Sequence, residues 1–383
     1  MRTPSKITTI SILSLSTVTG VSTLITGIIP QLKNTYPSIP VMWIEWLVTI
    51  ANLSALLTLV LNPKLTQKFG SRKVVVGGLV ISALSGATPL FISNFVIVML
   101  SRIILGLGIG LLSPHAISLI AHNFDGEHRA KLLGYQVGIS AGGNAILLML
   151  AGILVTINWR FVFVLYLLLL IIAGLVFKNV PNDQPETIKN SSVKLPPNRW
   201  GILILAFLTY LLIWGVQLKL PTLFNIKGFG NSSLLNWTLA AMNLGGLVAG
   251  LTFSKLHRRF NRYTLTIGYA GAAIAVLLLI STNNTFVAVF AAIFFNYIYS
   301  YTGPYLVLVG HQNLTDPQIN VMSSYITVST IISAFFAPLV WNLVGKIGVS
   351  SLTVNSLFWV GAVLSLIAIG TVLKSLLHQR ASN

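Results

Sequence analysis

Long apolar runs separated by short polar turns make up almost the whole chain. Twelve of these runs have roughly the 20 residues that an α-helix needs to cross a hydrocarbon core of about 30 Å. Each run is predicted to be a helix, because lipid excludes irregular backbone and because the runs lack the ten-residue alternation of a membrane β-barrel. The predicted crossings are 8–30, 43–62, 74–93, 95–122, 132–155, 160–178, 201–222, 233–254, 263–282, 285–312, 319–344 and 351–373.

The longest polar stretch lies between the sixth and seventh predicted crossings. It runs from Asn179 to Asn198 and is rich in Pro and Asn, which is typical of a linker. We therefore predict an all-α integral membrane protein with twelve transmembrane helices. Its predicted parts are an N-terminal six-helix bundle at 1–178, a cytoplasmic linker at 179–199 and a C-terminal six-helix bundle at 200–383.

The composition supports a membrane protein and excludes several kinds of site. Of 383 residues, 55% are hydrophobic and 8% are charged, and the mean hydropathy is +0.85. Soluble proteins carry about 25% charged residues. The chain has no cysteine, which excludes disulfides, thiolate metal sites and cysteine nucleophiles.

The net charge of +18 reflects membrane topology and not binding to nucleic acid. Most basic residues fall in alternate turns, and the positive-inside rule assigns those turns to the cytoplasm. Both termini are then cytoplasmic, and we expect a multi-pass protein of the plasma membrane. The cytoplasmic basic residues lie in the ranges 2–6, 64–73, 129–131, 178–199, 255–262 and 374–380.

Similar cationic turns occur in the two halves, at 62–73 and 255–262. The first resembles the loop between helices 2 and 3 of the major facilitator superfamily, which reads Gly, three residues, Asp, a basic residue, any residue, Gly, any residue and two basic residues. The resemblance extends over essentially the whole chain and implies the major facilitator fold, two pseudo-symmetric six-helix bundles. The matching residues of this predicted conformational-switch loop are Lys68, Gly70, Arg72 and Lys73.

Two residues of this loop depart from the family pattern. Pro63 stands where the family has Gly, and Gln67 stands where it has Asp. In the family the Asp is thought to cap a helix end across the domain interface. A neutral Gln removes the charge part of that contact, about 0.3–1 kcal/mol, so we expect a weaker lock on one conformation. The alternative is an ordinary basic turn.

The fourth crossing is similar to the family's Arg-x-x-x-Gly-x-Gly segment, with Arg102 and Gly106 in the matching places. An arginine inside the membrane costs ~2.5–3.5 kcal/mol, so it normally faces a wet cavity or a partner. Its helical face, which also carries Ile109 and Ser113, is assigned to the cavity or to the domain interface. The alternative is that Arg102 snorkels to the headgroups.

The fifth crossing looks like the Gly-Pro-x-x-Gly-Gly element of exchangers in this superfamily, with Ile139 where Pro is usual. Because exporters carry the element more often than importers, the resemblance favours efflux. The alternative is close helix packing without any functional direction. The predicted helix-packing glycines are Gly134, Gly138, Gly142 and Gly143. The Asn158-Trp-Arg-Phe segment is a further family-like signature.

Two ionisable residues are candidates for proton coupling. Glu45 is the one acidic residue of six that falls within a predicted crossing, on a face with Thr49 and Asn52. His115 lies deep in the fourth crossing and has an ordinary pKa near 6.5. The alternatives are a hydrated Glu at the helix mouth and a neutral His bonded to a neighbouring helix.

Polar and aromatic side chains recur on the predicted helices that border the central cavity of this fold. Such a lining suits a neutral or weakly polar organic solute, although each side chain alone more often makes an interhelical hydrogen bond of ~0.6 kcal/mol. The substrate-cavity candidates are Asn52, Arg102, Tyr210, Trp214, Gln217, Asn243 and Asn296.

We therefore expect a secondary active transporter of a small organic solute, with proton-coupled efflux by alternating access. We expect protons and the lipid bilayer as its other partners, a monomer, no cofactor and no metal site. No phosphate-binding loop or hydrolase motif occurs, so ATP-driven transport is not supported. The alternatives are a uniporter or a sugar-type importer of the same fold, a channel, and a membrane-embedded enzyme using His122, Asp125, Glu127 and His128.

Overall fold

Helices form all the regular secondary structure in the described part of the chain. The computed structural model describes residues 6–124, 126–181 and 195–382, and these ranges contain no strand. The predicted all-α class is confirmed. The α-helices are α1 Lys6–Ser14, α2 Ile29–Thr35, α3 Val41–Phe69, α4 Ser71–Ala87, α5 Phe95–Leu112, α6 His115–Asn123, α7 Gly126–Ile157, α8 Leu168–Asn179, α9 Trp200–Lys227, α10 Ser232–Phe260, α11 Thr264–Ser281, α12 Thr285–Tyr299, α13 Thr302–His311, α14 Asp316–Val344 and α15 Leu352–Ser382. The 3₁₀ segments are Leu15–Ile28, Thr88–Leu90, Trp159–Leu167, Pro197–Arg199 and Asn261–Tyr263.

The helices are long and apolar enough to account for the predicted crossings. In the described residues, eleven helical segments could span a membrane by length and composition. A twelfth span results if Lys6–Val18 and Gly20–Thr35, which meet at a 44° bend, form one crossing. The predicted twelve crossings agree with the structure on that count.

Three predicted crossings are divided between two α-helices, where a single continuous helix was expected. In each, a proline lies just before the second helix or in its first turn. Proline lacks the backbone N–H and is accepted at a helix start but not in an ordinary helix interior. The divided crossings are 8–30, where the 3₁₀ segment Leu15–Ile28 separates the two helices, 95–122 at Pro114, and 285–312 just before Pro304.

Another proline does not end its helix. The second crossing was predicted to stop at residue 62, but α3 continues through Pro63 to Phe69. Membrane helices tolerate an internal proline when neighbouring groups satisfy the carbonyl that it frees. The helix ends at Gly70, whose φ of 84° and ψ of 152° lie in a region that essentially only glycine adopts.

The chain forms two compact units, the first ending at Lys189 and the second beginning at Asn190. That boundary falls in 182–194, outside the described residues. The predicted linker at 179–199 therefore lies mostly outside them, and it stays a prediction.

Glycines of α5 bring three helices of the first unit into close contact. A Cβ on Gly106 would collide with Ser54 and the carbonyl of Ala51, and one on Gly110 would collide with the carbonyl of Ala55. On another face, a Cβ on Gly108 would collide with Ser82 of α4. Small residues allow such close approach of backbones in lipid. In the second unit, Gly215 of α9 similarly accommodates the indole of Trp341, whose Nε1 donates to the carbonyl of Leu211 at 2.8 Å.

Candidate functional site

Among the described residues, four acidic or basic side chains in the apolar helices are almost fully buried. In the first unit, Glu45 and Arg102 are 0% exposed and His115 is 4% exposed; in the second unit, Lys219 is 1% exposed. Charged and titratable groups at this depth are costly and normally mark functional sites. The surroundings of these groups therefore define the candidate site.

Arg102 of α5 donates hydrogen bonds to three segments of the first unit. Its Nε reaches the carbonyl of Leu47 in α3 at 2.9 Å, and its Nη2 reaches the carbonyl of Ser22 at 2.9 Å. Its Nη1 reaches the hydroxyl of Tyr166 at 2.7 Å, and that hydroxyl donates in turn to the carbonyl of Val21 at 3.0 Å. The guanidinium also lies 5.3 Å from the centre of the Tyr166 ring.

This geometry makes Arg102 a junction inside the first unit. It joins α5 to α3 and to the 3₁₀ segments Leu15–Ile28 and Trp159–Leu167, whose tighter turns have poorer backbone hydrogen-bond geometry. The guanidinium does not snorkel, because it is fully buried. The assignment of Arg102 to a substrate cavity stays a prediction.

A second polar chain links His115 to the break in the fourth crossing. Asn62 of α3 donates from Nδ2 to the carbonyls of Gly110 and Leu111, at 3.2 and 2.6 Å. In an uninterrupted helix, these carbonyls would accept the N–H groups of residues 114 and 115. Since Pro114 has no N–H, Asn62 replaces the missing backbone donor.

The same chain determines the proton arrangement on His115. Thr66 donates its single hydroxyl hydrogen to Asn62 Oδ1 at 3.0 Å, so it accepts in its 3.4 Å contact with His115 Nε2. The neutral imidazole then carries its hydrogen on Nε2, which leaves Nδ1 as a bare acceptor. Nδ1 is buried and has no hydrogen-bond partner among the described residues. Nδ1 is therefore the ring nitrogen to which a further proton would be added.

Glu45 lies near the start of α3, beside two interfacial tryptophans. The rings of Trp43 and Trp46 pack edge to face at 4.8 Å, while the Glu45 side chain is fully buried. Thr49, one turn further on, is also fully buried, and its hydroxyl has no hydrogen-bond partner among the described residues. The hydrated Glu that was the alternative reading does not fit this burial. Asn52 is half-buried.

The predicted cavity residues of the second unit lie on α9, α10 and α12. Asn296 donates to the carbonyl of Met242 at 2.5 Å, and its Oδ1 has no hydrogen-bond partner among the described residues. Asn243 donates to the carbonyl of Leu239 at 2.9 Å. Thus Asn296 joins two helices, whereas this bond of Asn243 stays within α10. The half-buried members on α9 are Tyr210, Trp214 and Gln217.

The sequence gives no signal for two further buried groups of the second unit. Lys219 Nζ donates to Asn342 Oδ1 at 3.0 Å, which joins α9 to α14. Thr209 contacts the Tyr269 hydroxyl at 2.5 Å, and the Tyr299 hydroxyl donates to the Thr209 carbonyl. A motif search misses both, because each partner lies far away in the chain.

The predicted switch loop has an exposed and an anchored part. Lys68 and Lys73 are exposed, whereas Arg72 donates to the carbonyl of Phe177 at 3.5 Å. Because that carbonyl lies in the last turn of α8, the cation sits at the negative end of the helix dipole. The role of this loop in conformational switching stays a prediction.

One of the four predicted packing glycines makes a close contact. A Cβ on Gly143 would lie 2.8 Å from Thr17 Cγ2, which is too close for any other residue without a shift. A Cβ on Gly134, Gly138 or Gly142 would meet nothing within 4 Å. The prediction of close packing is therefore wrong for these three, and the glycines of α5 make such contacts instead.

The remaining groups to consider are metal-ligating clusters and the cluster named for the enzyme alternative. Among the described residues, no group of three or more His, Asp or Glu side chains could hold a metal ion. Of the acid and histidine cluster after the fourth crossing, Glu127 and His128 are exposed, while Asp125 and the side chain of His122 lie outside the described part.

Comparisons with known sequences identify a family. A profile of the Major Facilitator Superfamily matches residues 10–338. Quinolone resistance protein NorB from Staphylococcus aureus strain MSSA476 is 26% identical over 193 residues, which is 50% of this chain and 39% of that protein. The JH9 strain protein of the same name is 25% identical over the same shares. The matched segment thus covers well under half the length of these relatives.

Solved structures agree in fold. A bacterial homologue of the human lysosomal transporter Spinster, inward-facing and occupied, has a TM-score of 0.79 at 14% identity and covers 96% of both chains. The xylose transporter XylE of E. coli, inward open, has a TM-score of 0.72 at 14% identity and covers 95% of both chains. A D-xylose-proton symporter has a TM-score of 0.74 at 18% identity, covering 94% of this chain and 97% of its own. These identities establish likeness of fold alone.

Proposed function

The chain belongs to the Major Facilitator Superfamily, and on that premise we propose that it is a secondary active transporter that exports a small organic solute in exchange for protons. The family and the fold are those of transporters, which bind small molecules and sit in a lipid bilayer. Transport proceeds by alternating access around a site near the bilayer midplane.

The bare Nδ1 of His115 is the observation that carries the proton part of this proposal. It lies in a buried polar chain in which Thr66 already holds the opposite ring nitrogen. A proton can be added at Nδ1 without breaking a hydrogen bond, while burial of the ring opposes the added charge. Glu45, buried two residues from the Leu47 carbonyl that binds Arg102, is the second proton carrier.

The solute is organic and carries little charge. Tyr210, Trp214 and Gln217 follow one another at intervals of four and three residues on α9, and all three are half-buried. Aromatic faces and an amide suit an aromatic or amphipathic compound. This agrees with the resistance to quinolones that the name of NorB describes.

The direction of transport rests on the same relatives. A membrane transporter confers resistance to a drug when it moves the drug out of the cell. The Gly138, Gly142 and Gly143 segment, with its resemblance to exchangers, adds to the case for efflux.

A sugar-type importer is the second candidate. It is favoured by the likeness of the whole chain to a D-xylose-proton symporter and to XylE. A proton-coupled importer would also use protons. It differs from the proposed exporter in its solute and in the direction of transport. A uniporter would need neither Glu45 nor His115 as a proton carrier.

We place the protein in the cell membrane as a monomer, with both termini in the cytoplasm. The alternating distribution of basic turns supports this orientation. The relatives that match are proteins of bacteria, whose cell membrane maintains a proton gradient.

Purified protein in liposomes that contain a pH-sensitive dye tests the proposal. With an acidic interior, external norfloxacin should make wild-type liposomes lose internal protons faster than protein-free liposomes do. Glu45→Gln and His115→Ala should abolish this extra proton flux but retain exchange of labelled norfloxacin without a gradient. The matched controls are Glu127→Gln and His128→Ala, because both of those residues are exposed.

Each outcome separates two readings. Norfloxacin exchange that ignores the pH gradient in wild type would remove proton coupling and favour a uniporter. Proton-coupled movement of xylose without any movement of norfloxacin would favour the importer. Wild-type coupling in both Glu45→Gln and His115→Ala would remove these residues as proton carriers.

A further inference from the structure

An open groove lies beside the turn that joins α3 and α4 in the first unit. Its volume is about 260 Å³. It is lined by Leu65, Phe69, Lys73, Val74, Gly77 and Leu111. Every lining residue except Lys73 is apolar or is a glycine, so the groove has one charged end.

The apolar part of the groove has room for a flexible chain. A Cβ added to Gly77 would meet nothing within 4 Å, so there is open space next to this residue of α4. Of the other lining residues, Phe69 is 47% exposed and Val74 is 7% exposed. In a membrane, an exposed apolar groove of this kind is filled by hydrocarbon.

The charged end lies where lipid headgroups begin. Lys73 is exposed in the first turn of α4, which is a candidate membrane span from Ser71 onward. Gly77 lies one turn deeper, about 6 Å further along the helix axis. A lysine at this level extends its ammonium to the interface while its methylene stem stays in the apolar layer.

The charged residues around the α3–α4 turn, next to the groove, are all cations. Lys68 is exposed and its Nζ lies 5.3 Å from the centre of the Phe69 ring, which itself lines the groove. The sequence from Asn62 to Lys73 contains four Lys or Arg residues and no Asp or Glu. The local charge at the groove therefore favours an anion.

We propose that this groove binds an anionic glycerophospholipid. One acyl chain lies along Leu65, Phe69 and Gly77, and the phosphate contacts Lys73 and Lys68. A soluble anion would leave the apolar length of the groove unused, and a zwitterionic lipid would bring its own cation close to two lysines. Basic pockets beside membrane helices bind anionic headgroups in this way. The site does not depend on the proposed transport function.

Native mass spectrometry of the full-length protein, titrated with phosphatidylglycerol and with phosphatidylcholine of the same acyl chains, tests this site. We expect tighter retention of phosphatidylglycerol. Each of Lys68→Gln and Lys73→Gln should weaken it about five-fold, which corresponds to about 1 kcal/mol for one lysine near a membrane surface. The matched control is the double variant Lys255→Gln, Arg258→Gln, because these exposed cations end α10 in the second unit.

A second variant tests the apolar part without touching a charge. Gly77→Leu fills the open space and should lower phosphatidylglycerol retention at least as much as the loss of one lysine. Glycerophosphoglycerol, the headgroup without acyl chains, should not compete at matched concentration.

Four results would overturn the proposal. Equal retention of the two lipids would remove the preference for an anion. Weakening by the Lys255, Arg258 control as large as by the Lys68 and Lys73 variants would mean diffuse attraction of charge. Competition by the free headgroup, or unchanged retention in Gly77→Leu, would leave a phosphate site without an acyl groove.

Discussion

Arg102 illustrates how a single charged residue becomes tolerable inside a membrane protein. Its insertion costs ~2.5–3.5 kcal/mol, whereas each hydrogen bond from a charged donor contributes about 1.5–3 kcal/mol. Its bonds to Leu47, Ser22 and Tyr166 together exceed the cost. The net stabilisation of the first unit by Arg102 therefore shrinks with each acceptor that is lost.

Replacing Tyr166 by Phe tests this dependence. The change removes one acceptor and leaves Arg102 Nη1 buried without it, at an expected cost of about 1–3 kcal/mol. Thermal unfolding in detergent should show a clearly lower midpoint than wild type. The control is Tyr135→Phe, since Tyr135 is 50% exposed. Equal midpoints for the two variants would mean that Arg102 is satisfied without the hydroxyl.

The identity of Arg102 as a special residue could be predicted from its sequence, but its partners could not. Two of its three acceptors are backbone carbonyls, which every residue has, and Tyr166 lies 64 positions away in the chain. The same limit applies to His115, whose proton arrangement follows from Thr66 and Asn62 on another helix. Glu45 stood out because it is the one acid in an apolar run.

Two helices in different units share the same local construction. Asn94 caps α5 by accepting from the backbone N–H groups of Val96 and Ile97, and Asn284 caps α12 in the same way. Both crossings are then divided before or beside a proline, Pro114 or Pro304. The caps could have been predicted from Asn at these positions. The divisions could not be predicted from proline alone, because Pro63, Pro221 and Pro338 lie inside continuous helices.

The division of the fourth crossing should couple Asn62 to Pro114. Asn62→Leu removes the donor to the Gly110 and Leu111 carbonyls and should destabilise the protein by about 1–3 kcal/mol. In a Pro114→Ala background, the new backbone N–H of residue 114 can donate to the Gly110 carbonyl. Asn62→Leu should then destabilise the protein less than it does in the wild-type background, by about 0.5–3 kcal/mol. Unfolding measurements on the four variants give this coupling, and strictly additive effects would contradict it.

The close packing of α5 against α3 can be tested by adding a single methyl group. Gly106→Ala places a methyl group against the Ala51 carbonyl and Ser54, so we expect a loss of at least about 1 kcal/mol and reduced folding yield. Gly138→Ala meets open space and should be neutral or more stable by roughly 0.5–1 kcal/mol, because alanine favours a helix. Thermal midpoints of the two variants should differ in that order. The reverse order would mean that α3 and α5 are not in close contact.

At the scale of the whole molecule, bilayer thickness decides what can be predicted. A requirement of about 20 apolar residues for each crossing yields the number and approximate bounds of the spans. This length requirement does not show which glycines contact another helix and which face lipid, because both surroundings are equally apolar. This is why spans were predicted well and the glycines of α7 were assigned contacts that the glycines of α5 make.

The predicted orientation of the chain rests on the charge distribution alone and is open to a direct test. The natural chain has no cysteine, so a single introduced cysteine reports one position without background. Asn34→Cys and Lys346→Cys should react with a membrane-impermeant maleimide in intact cells, because positive-inside topology assigns them to the outside. Lys131→Cys and Lys255→Cys should react only after the membrane is permeabilised. Since all four positions carry exposed or half-exposed side chains, lack of reaction reports the membrane side and not burial.

Labelling of Lys131→Cys and Lys255→Cys in intact cells would mean that the orientation is the reverse of the predicted one. Opposite behaviour of these two would mean an odd number of crossings between them and would contradict the arrangement of two six-helix halves.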